Sequence, residues 1–264
     1  ELLKSEVARE FPKQADSFAR LLGQLADYDD LNQDNFGGSA RQFLSDTISD
    51  PLLIEMLLCP LMWYGNARQD DMDYGQFCIM FRSIFLEGFA RPFKGVRLIL
   101  KHLVRRYRAL GGELKLRSGV ERIVTDGDRA VGVMLESGEE LSAKRILSSA
   151  GIIETQRLCD DLTEQTPDRA GQLTFIESIS VLDRQPKELG FGETIVFFND
   201  SPKFTWRAPA GELCDTRTGV ICSPNNYLYP NEIGNLEDGV IRLTTIADFQ
   251  RWSDLSEADY VRQK

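Results

Sequence analysis

Few residues in this 264-residue chain have the type and spacing to do chemistry by themselves. There is one histidine, His102, too little material for a histidine metal site or a Ser-His-Asp triad. Between Lys101 and Leu103, in a helical pattern, it reads as a surface residue. The five cysteines (Cys59, Cys78, Cys159, Cys214 and Cys222) are odd in number, scattered and without C-x-x-C. That is the pattern of idle thiols in a reducing compartment, and it speaks against a disulfide framework or a zinc site, so no metal is expected. Gly190-Phe191-Gly192 comes nearest to a dinucleotide loop, but Ile195 occupies the third glycine's place. A Walker loop, H-E-x-x-H, a calcium loop and G-x-S-x-G are all missing. What remains is apolar. Trp63, Phe85, Phe89, Phe93 and Trp206 could line a channel for a long apolar molecule, although core packing is the more common fate of such residues. The basic run Lys101, Arg105, Arg106 and Arg108 fits contact with an anionic membrane surface, or a solvated face near a helix C-terminus.

Composition narrows the field. With 31 Lys+Arg against 41 Asp+Glu the net charge is −10, so nucleic acid is not an expected partner. Hydrophobic residues make up 42%, enough apolar material to offset the entropy of ordering, which excludes a disordered chain. The length suits one large domain or two modest ones. Apolar stretches such as Pro51 to Tyr64 are too short to span a bilayer, and no signal-peptide pattern is visible. A cytoplasmic location is expected, and the apolar helices permit membrane association without requiring it. The first residue is Glu1, as expected of an internal piece of a longer protein.

The elements that must position these residues follow from periodicity. Val7, Phe11, Phe18, Leu22 and Leu25 draw one helix face across Ser5 to Tyr28. Ser39 with Gln42 forms a capping-box signal for a helix through Ile48. Asp50-Pro51 is an N-cap and first-turn pair for the apolar helix Leu52 to Leu58, bounded by Pro60 and Gly65. Tyr74 to Leu86 predicts a buried helix. Val96 to Leu110 predicts another, stopped by Gly111-Gly112. The period then changes to two. Strands are predicted over 113–116, 120–125, 129–135, 140–141 and 145–148, with turns at Asp126-Gly127-Asp128 and Ser137-Gly138-Glu139. A short helix over 152–159 follows. Longer strands are predicted over 173–182, 194–198, 203–206, 220–222 and 240–247, and Ser253 or Ser256 is a candidate cap for a last helix. The expected class is α+β: a helical part over 1–112, a meander over 113–160, and a mixed, mostly antiparallel β-rich part over 161–264.

Two runs carry a resemblance. The first is Phe89-Ala90-Arg91-Pro92-Phe93-Lys94-Gly95, leading through Gly111-Gly112-Glu113 and Val120-Glu121-Arg122-Ile123 to Val131-Gly132-Val133 and Ile146-Leu147-Ser148-Ser149-Ala150. The second is Asp50-Pro51 through Pro60 to Trp63-Tyr64-Gly65. Together they resemble the middle of the phytoene desaturase and retinol saturase family of FAD-dependent oxidoreductases, an arrangement shared by carotenoid isomerases and, more distantly, flavin amine oxidases. The likeness is good over about residues 50 to 160 and loose on the flanks. In that family a P-x-G-G turn opens the helix ending in G-G-E; here Gly95 fits, but Val96 replaces the second glycine, and its side chain would obstruct close backbone approach.

The resemblance implies FAD as cofactor of the full-length parent, with the site incomplete in this chain, because the family's N-terminal glycine-rich fingerprint is absent here. It implies that Val120 borders the adenine and that Ser149 and Ala150 lie on the adenine and ribose side, with Gly95 near flavin or substrate. A plain strand residue at 120 and an ordinary turn at 149–151 are the alternatives. The implied reaction is desaturation or saturation of C–C bonds in a long isoprenoid, carotenoid or retinoid-like substrate, by hydride transfer with flavin. A flavin-using isomerase and a non-catalytic apolar-ligand module are the rival readings, and the chain alone is expected to be catalytically silent.

Overall fold

The computed structural model describes residues 1–30, 32, 37–65, 68–88, 90, 92, 95–159, 173–207, 210–228 and 236–264. The chain forms two compact units, one of Glu1–Lys94 with Gln172–Lys264, the other Gly95–Gly171. The class is α+β, and every strand ladder among the described residues is antiparallel.

In the first unit, α1 (Leu2–Glu10) and α2 (Ala15–Ala26) replace the single helix that periodicity predicts. Pro12 breaks it: Phe11 turns to φ −126° and a short 3-10 turn, Pro12–Gln14, intervenes. The buried Gln14 side chain then ties this corner to the next connection, donating to Ser49 Oγ at 2.8 Å and accepting from Ser49 N at 3.0 Å. Helix α3 (Ala40–Thr47) starts where the capping signal places it, with Ser39 Oγ accepting from Gln42 N. Helix α4 (Pro51–Trp63) starts on Asp50, whose carboxylate accepts from Leu52 N and Leu53 N. It runs on through Pro60 rather than ending there, although proline removes the N–H that would serve the Met56 carbonyl. A helix apolar on nearly every side belongs inside. Accordingly Leu57, Leu58, Leu61 and Met62 are buried against Phe18 and Leu21 of α2, Leu44 of α3, and Phe77 and Phe81 of α5 (Tyr74–Phe81).

Helix α5 does not continue as an α-helix to Leu86. Residues Arg82–Leu86 form a π-turn, closed by Glu87 N donating to Arg82 O at 2.8 Å. The sheet of this unit has the order β4 (Leu173–Leu182), β7 (Gly239–Asp248), β6 (Thr218–Cys222), β5 (Ile195–Asn199). Its longest ladder runs from Leu173↔Asp248 to Leu182↔Gly239. Register puts Leu173, Ile246, Val220 and Phe197 on one face, and that face packs on the helices. The predicted strand at 203–206 is not a ladder strand. Its amides are taken up across the fold, Phe204 N by Glu55 and Trp206 N by the Gln69 carbonyl. Helices α8 (Phe249–Ser253) and α9 (Glu257–Gln263) end the chain, and Ser256 is the residue that caps α9.

The second unit holds α6 (Val96–Ala109), a meander of β1 (Val120–Asp126), β2 (Arg129–Leu135) and β3 (Glu140–Ser142), and α7 (Ile152–Arg157). Gly132 is required by close packing, because a Cβ there would sit 2.7 Å from the Leu141 carbonyl oxygen. Cys159 returns beside β1 through a parallel bridge, with Ile123 N donating to Leu158 O at 2.7 Å. The predicted strands at 113–116 and 145–148 form no ladder, and Leu147 is 99% exposed. Among the described residues no helix is long and apolar enough to cross a membrane.

Candidate functional site

The first unit contains an apolar hollow of about 660 Å³ between α1, α4, the π-turn and β5. Leu3 and Val7 form one wall, Leu53, Met56 and Pro60 the floor, and Phe85 and Phe197 the far side. Local sequence explains each wall. The all-apolar α4 has more greasy surface than the core can take, so Leu52 and Met56, one turn apart, remain 58% and 55% exposed at the hollow. The π-turn inserts one extra residue per turn exactly where Phe85 is presented, and such turns recur at functional sites. Phe85 keeps contact with the core through Phe81, ring centroids 4.9 Å apart.

The charged groups at the hollow are already engaged. Glu55 is buried, and its carboxylate takes the forked guanidinium of Arg41, with Nη2 at 3.2 Å, and the Phe204 amide at 2.9 Å. Glu6 and Glu10 at the rim are paired with Arg9. Burial pushes the Cys59 thiol up to about 12, with the Glu55 charge adding to it. Burial likewise pushes Cys78 up to about 11. A pKa near 12 leaves about one thiolate in ten thousand at pH 8. Cys59 and Cys78 are therefore expected to resist a maleimide in the folded protein and to react once it is denatured, as read by peptide mass spectrometry. Rapid labelling of Cys59 in the native state would contradict this.

The residues singled out from sequence fall in three places. Phe85 lines the hollow. Trp63 and Trp206 come together elsewhere in the same unit, ring centroids 5.1 Å apart and edge to face, in a packed cluster with Phe175 and Phe204. Both are buried there, and Trp63 Nε1 has no hydrogen-bond partner among the described residues. Phe89 and Phe93 lie outside the described residues. Sequence reasoning missed Leu52, Met56 and Phe197. Their signal, an apolar helix with no polar face and an alternating strand, is the same one a buried core gives.

In the second unit a hollow of about 850 Å³ lies between β1, β2 and residues 146–159. Ile123 and Ile152 give it apolar surface, and Thr125, Ser148, Ser149 and Thr155 give it hydroxyls. The Ser148 and Thr155 hydroxyls are 2.6 Å apart, and Ala150 N donates to Ser148 Oγ at 3.3 Å. Ser149 lines this hollow, while Val120 stands at the start of β1 paired with Leu135. Gly95 is at the head of α6 with φ +69°, and a Cβ there would meet nothing within 4 Å. The lining, Ile123 and Ile152 beside several hydroxyls and the Asp128 side chain, has the chemistry of a site for the adenine and ribose end of a dinucleotide. The sequence offers no glycine-rich loop for the pyrophosphate, so the fit covers one end of FAD. Among the described residues no group of three or more His, Cys, Asp or Glu gathers to hold a metal ion.

No protein-family model matches the chain. Among curated proteins it is 25% identical over 177 residues to the phytoene desaturase of Neurospora crassa, covering 53% of this chain and 29% of that protein. It is 32% identical over 118 residues to the chloroplastic prolycopene isomerase of Arabidopsis thaliana, covering 44% of the chain and 19% of that protein. The corresponding isomerase of Daucus carota is 30% identical over 118 residues, covering 44% and 18%. The chain is thus related to phytoene-desaturase-like proteins, and it spans less than a third of the length of these relatives.

Proposed function

We propose that the chain is part of an FAD-dependent oxidoreductase acting on C–C bonds of a long apolar, isoprenoid or carotenoid-like substrate. The observation that carries this reading is the hollow over α4, whose Leu52 and Met56 face solvent where a packed core would hide them. The similarity to a desaturase and to two isomerases of carotenoid type supports the same substrate class. On this reading the unit with the hollow handles substrate, and the meander unit forms one wall of the flavin site.

FAD, when bound, supplies two-electron hydride exchange with a substrate carbon, and the protein supplies binding and orientation. Leu3, Val7, Met56 and Phe85 exclude water from the polyene and hold it by dispersion and area burial. Arg41 neutralises Glu55, so the hollow presents no uncompensated charge to an apolar chain. The hydroxyls of Ser148 and Ser149 would meet the ribose end of the dinucleotide.

A flavin-using isomerase is the second reading, favoured by the two prolycopene isomerases matched at 30% identity or more. Anaerobic incubation of the full-length parent protein with FAD and a cis-polyene separates the readings. Desaturation bleaches flavin absorbance in step with lengthening of the polyene chromophore. Isomerisation changes double-bond geometry with no net bleaching. Tight polyene binding with neither change would overturn both readings and leave a ligand-binding module.

A further inference from the structure

The charged residues lining the hollow over α4 are all acids, and each is already met: Glu6 and Glu10 share Arg9, and Glu55 holds Arg41. Three neutral groups there are left open. Register puts Asn199 on the same face of β5 as Phe197, half-buried at the end of the strand. Its Nδ2 donates to the Ser201 carbonyl at 2.8 Å, while its Oδ1 and the Ser201 hydroxyl have no hydrogen-bond partner among the described residues. On the floor, Pro60 has no N–H to give the Met56 carbonyl, and both residues line the hollow. We propose that the hollow selects an apolar chain that ends in a hydroxyl, with Asn199, Ser201 and the Met56 carbonyl setting that preference. The inference rests on the hollow being the substrate site and narrows what it takes.

Hydrogen-bond inventory selects this end group. A hydroxyl both donates and accepts, so it can give its proton to Asn199 Oδ1 or to the Met56 carbonyl and take one from Ser201. A hydrocarbon end would cover these groups and leave them unpaired. A carboxylate end would meet two acceptors and a lining whose charges are all negative. An ammonium end would need a bare carboxylate, and guanidinium groups already hold those of Glu6, Glu10 and Glu55. Fully buried partners reject an analogue without its hydroxyl by several orders of magnitude; half-buried ones are worth about tenfold.

The test is competition between a polyene that quenches tryptophan fluorescence and four matched probes: geranylgeraniol and the corresponding hydrocarbon, carboxylic acid and primary amine. The alcohol is expected to displace the polyene from the 264-residue chain at about a tenth of the concentration the other three need. Asn199→Leu with Ser201→Ala should bring the alcohol to the level of the hydrocarbon, with hydrocarbon binding retained as the sign that the hollow is intact. Pro60→Ala restores an N–H for the Met56 carbonyl and should cut the preference about threefold without lowering the unfolding temperature. Equal affinities, a tighter acid or amine, or a preference for the alcohol that survives both variants would overturn this inference and leave the hollow as the substrate site. Failure of the polyene and all four probes to bind would remove that reading and the inference together. Alcohol bound by this chain but not by the full-length parent would show that the parent's own residues fill the hollow, and would overturn both as well.

Discussion

Arg41→Met is expected to lower the free energy of unfolding by about 3 to 5 kcal/mol, because it strands a buried carboxylate. Glu55 sits on the inward side of α4, surrounded by apolar residues, and its charge is met by the Arg41 fork and the Phe204 amide. Removing the guanidinium leaves one amide to compensate a full charge. Against a typical total of about 5 to 15 kcal/mol, that is a large fraction of the stability. The companion Arg41→Met with Glu55→Gln keeps an acceptor for Phe204 N without the charge, and more than half of the loss should return. Urea midpoints of the parent, single and double variants measure this directly. A single variant within about 1 kcal/mol of the parent would show that water reaches Glu55 and that the floor of the hollow is wet.

The second large effect concerns ligand, not stability. Met56→Glu is expected to weaken binding of a long polyene by about tenfold to a hundredfold, since it sets an unpaired carboxylate against an apolar chain. Met56 is exposed, and glutamate is a good helix former, so stability should change by no more than about 0.5 kcal/mol. Quenching of tryptophan fluorescence by the polyene reads the affinity, and thermal unfolding reads the fold. Unchanged affinity would place the ligand elsewhere.

Much of the fold was legible where the physics is local. Ser39 with Gln42 and Asp50 with Pro51 satisfy the first amides of a helix through side chains a few residues away, so their residue types announce the start. The meander's turns are equally local, with Gly127 and Gly138 both at positive φ. Long-range events were not legible. Residues 203–206 alternate like a strand, yet Glu55, 149 positions away, and Gln69 take their amides. Pro12 sits inside a helix-period run, and the apolar spacing hides the break it makes.

The site was legible in part, for the same reason. Phe85 stood out as one of several aromatics, but nothing local separates it from Trp63 and Trp206, which pack with each other instead. Leu52 and Met56 are ordinary members of an apolar helix. Their exposure depends on how α1 and β5 approach α4, which no window of the sequence contains.

The most direct measurement is photocrosslinking of the 264-residue chain with an isoprenoid bearing a photoreactive group, mapped by peptide mass spectrometry. The account predicts adducts on Leu52 to Pro60, on Phe85 and on Phe197, suppressed by excess polyene and by Met56→Glu. Adducts confined to other surfaces, or none above those of a simple alkane probe, would contradict it.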